Sequence, residues 1–171
     1  MRRAALALVT IGASVAFACG DPVHSNEVDA LGPAPNGGRP GPEHRPGQPC
    51  IVCHGGSGPA SAQFSMGGTI YLIKGQTDPA PNVVVKITDS RGQTHSVTTN
   101  KVGNFYIPVA EWDPTPPHSV ELHFGDTYVN PMGTKIGRDG SCANCHFGKP
   151  GPSTPGPVYL ATDPADLPGA M

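Results

Sequence analysis

Five residues, Cys50-Ile51-Val52-Cys53-His54, return later in the chain as Cys142-Ala143-Asn144-Cys145-His146. Two thiols three positions apart, with histidine directly after the second, form the C-x-x-C-H pattern of covalent c-type haem attachment. The thiols can add to the two vinyl groups of one porphyrin, and the histidine is then placed to bind the iron as its proximal ligand. The sequence therefore predicts two haem c groups, held by Cys50, Cys53, Cys142 and Cys145, with His54 and His146 as proximal ligands.

Other readings of four such cysteines fit less well. Zinc ribbons separate their two C-x-x-C knuckles by about 15 to 20 residues, far less than the chain between Cys53 and Cys142. A thioredoxin-like redox pair needs a strand before it and a helix after it. Here Gly47-Gln48-Pro49 precedes the first pair and Gly55-Gly56-Ser57-Gly58 follows it. A pair of disulfides is the remaining rival.

Composition sharpens the constraint. Among 171 residues, 23 glycines and 21 prolines argue against a helix-rich fold. A formal charge of -2 leaves no basic field for nucleic acid. With 37% hydrophobic and 6% aromatic residues, the polypeptide core is thin and calls for covalent or metal staples.

At the start, Met1-Arg2-Arg3 and the apolar stretch from Ala4 to Phe17, ending in Ala16-Phe17-Ala18, read as a signal peptide over residues 1–18. Cys19, the one cysteine outside the motifs, resembles the acceptor of a bacterial lipoprotein. The resemblance implies a lipid anchor at Cys19, and Gly20 in place of an aspartate implies an outer-membrane destination. Residues 19–43 are rich in Gly, Pro and Asn and are expected to form an extended tether, leading into a first haem-binding segment at 44–62.

Residues 63–130 change character. The apolar run Gly68 to Ile73 is followed by alternating sets at Val83, Val85 and Ile87, at His95, Val97 and Thr99, at Phe105, Ile107 and Val109, and at Val120, Leu122 and Phe124. Short strands broken by turn signals predict a mainly β chain, a small sandwich or barrel, with a two-residue turn at Gly125-Asp126. Residues 131–160 form the second haem-binding segment, in which the proline-rich stretch 148–157 is expected to wrap a haem edge and Val158 to Ala161 to add a last strand. Residues 161–171 read as a frayed tail.

Pro81-Asn82-Val83-Val84-Val85-Lys86-Ile87-Thr88-Asp89, with Thr98-Thr99-Asn100-Lys101-Val102-Gly103-Asn104-Phe105, resembles the carboxypeptidase-regulatory-like, transthyretin-like β-sandwiches. That resemblance covers roughly residues 67 to 125 and implies an Ig-like scaffold without catalytic residues. Flanked by Pro46-Gly47-Gln48-Pro49-Cys50 and Gly140-Ser141-Cys142, the chain also resembles exported dihaem cytochromes.

An electron-passing haem has both axial positions filled, so two distal ligands are needed. Strand parity places His118 and His95 at the core edge and turns His123 and Glu121 outward. His44 and Met132, in loops shortly before their local motifs, are the first choices, with His123 as the alternative. The expected function is a dihaem cytochrome relaying single electrons in the periplasm or at the outer cell surface to redox partner proteins such as other multihaem cytochromes. One alternative is a haem enzyme, a peroxidase or reductase, or a haem-based sensor with one open distal site. The other is a cell-surface binding sandwich with structural haems. No constellation of catalytic side chains is visible, so the chain reads as a carrier without a catalytic site.

Overall fold

The computed structural model describes residues 21–35 and 39–167. The expected signal peptide and Cys19 lie outside the described residues. Among the described residues, seven strands form two sheets: β1 Phe64–Ile73, β2 Val84–Thr88, β3 Thr94–Thr98, β4 Asn104–Pro108, β5 Ser119–Phe124, β6 Tyr128–Pro131 and β7 Val158–Ala161. One sheet has the order β4-β1-β7 and the other β3-β2-β5-β6. The mainly β, sandwich-like expectation therefore holds.

Period-2 patterning explains the layers. Met66 and Ile70 of β1, Phe105 and Ile107 of β4, Val85 and Ile87 of β2, and Leu122 of β5 point between the sheets and are buried. Each such side chain stabilises the fold by about 1.5–3 kcal/mol. His118 is buried, and His95 is half-covered, stacked on Trp112 and paired with Glu111. Both lie where parity puts them. On the outer face Glu121 accepts from His123 and Lys86, and these bonds hold its carboxyl below the usual range.

β1 is the longest strand and the centre of its sheet. It runs antiparallel to β4 and parallel to β7, so the last strand is an integral member of the sandwich. Between Phe64 and Met66 the register shifts by a bulge, which turns the start of β1 to the other face.

Three details differ from the sequence expectations. Pro22–Ala30 is a helix, α1, rather than an extended tether, because Asp21 accepts from the backbone N–H of Val23 and His24 and proline opens the first turn. The β5–β6 connection has three residues rather than two, since Phe124 pairs with Tyr128. The described part of the tail is folded: Asp163 caps a single 3-10 turn at Pro164–Asp166, and Leu167 packs against the core. Among the described residues, no helix is long and apolar enough to cross a membrane.

Candidate functional site

The first motif folds as a short helix, α2 Cys50–His54, that begins at Pro49 and packs on β1. His54 is buried, and its Nδ1 lies 2.7 Å from the carbonyl oxygen of Ala62. A carbonyl only accepts, so this bond requires the proton on Nδ1 and leaves Nε2 with the lone pair that binds metals. The ring stacks on Phe64 at 4.1 Å, and Phe64 stacks on Tyr106 at 4.6 Å. The bulge in β1 supplies this shelf by bringing Phe64 to the outer face beside Tyr106.

His44 approaches the same place. Its ring centroid is 5.7 Å from that of His54. The Nδ1 of His44 is likewise tied to a backbone carbonyl, that of Gly41. The His44 loop is pinned to the sheet by Asn104, whose amide donates to the carbonyl of His44, and by Thr69, whose hydroxyl receives the Gly47 N–H. Cys50, Cys53, His54 and His44 line one cavity of about 620 Å³ on the outer face of β1 and β4.

The second motif is a 3-10 turn at Cys142–Asn144. Asp139 shapes it, accepting from the Ser141 N–H and the Asn144 amide. The Nδ1 of His146 lies 3.0 Å from the carbonyl of Gly156, which repeats the arrangement at His54. The loop that carries this carbonyl is gathered by Thr154, whose hydroxyl contacts the carbonyls of Cys145 and Phe147 and receives the Gly156 N–H. Cys142, Cys145, His146 and Met132 line a second cavity of about 570 Å³. It opens between the sheets, with Ile70 and Phe105 on one side and Val85 and Leu122 on the other. Pro155 and Pro157 wall it from the loop after the motif.

Each preferred distal candidate thus shares a cavity with its own motif. His123 lines neither cavity and stays on the outer face with Glu121.

Known proteins offer no guide. No family model, no curated protein and no solved structure matches the chain.

Burial governs the thiols. It pushes Cys50 up to about 11, with a small contribution from Cys53, and pushes Cys142 up to about 12, with Cys50 and Asp139 adding to the effect. All four motif cysteines are free thiols. Among the described residues, no three or more His, Cys, Asp or Glu side chains gather as a cage for a bare metal ion. Both cavities lie within the roughly 300–1,000 Å³ of small-molecule and cofactor sites. Thiols at their rims and a lone-pair nitrogen in each make a donor set that fits a covalently attached iron porphyrin.

The stacking partners Phe64 and Tyr106, the pins Asn104 and Thr154, and the carbonyls of Ala62 and Gly156 escape the sequence reading. Only Asp139 carries a local signal, an Asp two residues before Ser141 in a turn.

Proposed function

We infer that this chain is a dihaem c-type cytochrome that relays single electrons. The observation that carries the reading is the repeated geometry: each C-x-x-C-H motif borders its own cavity, and in each the histidine Nδ1 is committed to a backbone carbonyl. A bound haem supplies an iron that accepts and returns one electron at a time.

The residues divide the work. Cys50 and Cys53, then Cys142 and Cys145, would form the thioethers. The carbonyls of Ala62 and Gly156 orient His54 and His146 and raise their basicity toward iron. His44 would complete the first site and Met132 the second, and both sites would then be closed to exogenous ligands. The sheets hold the two sites at a fixed spacing, a scaffold role that suits an Ig-like, transthyretin-like sandwich. Export through residues 1–18, a lipid on Cys19 and an outer-membrane or periplasmic location, with other multihaem cytochromes as redox partners, complete the reading on sequence grounds.

Mass measurement of the denatured protein tests it. Two haems should remain attached, and the reduced protein should bind no carbon monoxide. A bare polypeptide with two disulfides would overturn the reading. Rapid carbon monoxide binding by the untouched reduced protein would instead favour a haem enzyme or sensor.

A further inference from the structure

The two cavities lie on opposite faces of the β1–β4 pair, and Phe105 lines both. On β1, Gly68 shares its face with Met66 and Ile70, toward the sandwich interior, and Gly67 faces outward. A Cβ placed on Gly67 would stand 3.1 Å from the Cβ and 3.2 Å from the Sγ of Cys50. On Gly68 it would stand 2.8 Å from both the Cβ and the Sγ of Cys142. The first thiol of each motif therefore rests on backbone where any other residue would carry a side chain. Phe105, paired with Gly68 on β4, meets both glycines: its ring meets the Gly68 side and its carbonyl oxygen the Gly67 side. Gly67 is also held from the other edge, where its N–H donates to the carbonyl of Gly140 just before the second motif.

We propose that the Gly67-Gly68 pair is the positioning element that seats Cys50 and Cys142 back to back across β1 and thereby sets the spacing between the two haem attachments. Consecutive Cα atoms are about 3.8 Å apart, so with each sulfur this close to its glycine the two sulfurs lie within about 13 Å of one another. Two attachments at that spacing place both haems near enough to sense each other's charge and transition dipoles. The inference rests on the dihaem reading and deepens it. The two glycines are not equivalent. Contacts under 3 Å force a displacement, so a side chain at Gly68 must push Cys142 within a packed interior, whereas at Gly67 a movement of a few tenths of an ångström by Cys50 suffices.

The test uses the full chain matured with haem. Circular dichroism in the Soret band reads interhaem coupling as a two-signed couplet, and a redox titration reads how far reduction of one haem shifts the other. The unmodified protein should show the couplet. Gly68→Ala should lose it, or lose the haem of the second motif alone, as read by mass. Gly67→Ala should weaken it less, and Gly133→Ala, which meets open space, should leave it unchanged. Two attached haems without a couplet in the unmodified protein would overturn the inference and leave the dihaem reading standing. A full couplet in Gly68→Ala with both haems attached would overturn it as well. If Gly68→Ala fails to fold, the Gly67→Ala and unmodified spectra still decide, since the inference requires a couplet in the latter and a weaker one in the former. Absence of any haem on the unmodified chain would instead remove the dihaem reading itself.

Discussion

The two C-x-x-C-H segments share the motif, a bordering cavity and the carbonyl on the histidine Nδ1, and differ in the rest. The first is a helix laid on the outside of a sheet, with its histidine on a shelf of Phe64 and Tyr106 and a second histidine 5.7 Å away. The second is a tight turn wedged at the mouth of the sandwich, its cavity walled by both sheets and by Met132. Five residues dictate how a porphyrin is attached, and the surrounding fold decides what the attached group touches. One cofactor would lie on the scaffold and the other would be part of its core.

The largest expected effect follows from that asymmetry. Replacing Cys142 and Cys145 with serine should lower stability far more than replacing Cys50 and Cys53, because the change at Cys142 and Cys145 empties a space between the sheets that surrounding side chains cannot collapse to fill. Thermal unfolding of the two double variants would break the comparison if their order were reversed.

Distal substitutions come next. Met132→Ala should open only the second haem to carbon monoxide and His44→Ala only the first. Methionine favours reduced iron and raises the potential, so Met132→His should lower one midpoint in a redox titration and leave the other in place. Opening of the first haem by Met132→Ala, or of the second by His44→Ala, would show crossed ligation.

Smaller effects sharpen the contrast further. Thr154→Val leaves the Gly156 N–H without its hydroxyl partner and should cost about 1–3 kcal/mol, with spectral change confined to the second haem. Phe64→Leu removes the stacking under His54 and should cost about 0.5–1.5 kcal/mol beyond lost area, with change confined to the first.

A separate effect is alkaline. In the haem-free chain, burial raises the Cys50 and Cys142 thiols from 9.0 to about 11 and about 12, so the fold favours their protonated forms. That stability is complete below the ordinary thiol value and is lost as pH rises through about 11 and then about 12. Denaturant midpoints should fall over this range, and a Cys142→Ser chain should lose the upper part of the fall.

The strands were legible because alternation survives in the finished sandwich: Val85, Ile87, Phe105, Ile107 and Leu122 all face inward. The motif residues were legible because their chemistry is local. Helix α1 was not, since a composition rich in Gly and Pro over residues 19–43 masks a short capped stretch that begins at Asp21. The walls of the two cavities were not legible either. Phe64 reaches His54 only because of a bulge, and Asn104 reaches the His44 loop across 60 positions of sequence. Such pairings arise from tertiary register, which a single sequence does not print.

The parallel pairing of β7 with β1 bears on the timing of maturation. The sheet that backs the first motif gains its last strand only after Val158–Ala161 has been made, beyond the second motif. Parallel pairing between segments so far apart is intrinsically slow to form. A chain emerging from its N-terminus therefore presents all four motif thiols before the sandwich can shut. Once it has shut, Cys50 and Cys142 are hard to ionise, and Cys142 lies on the inner side of β1. On the proposed function, covalent loading would fall in that interval.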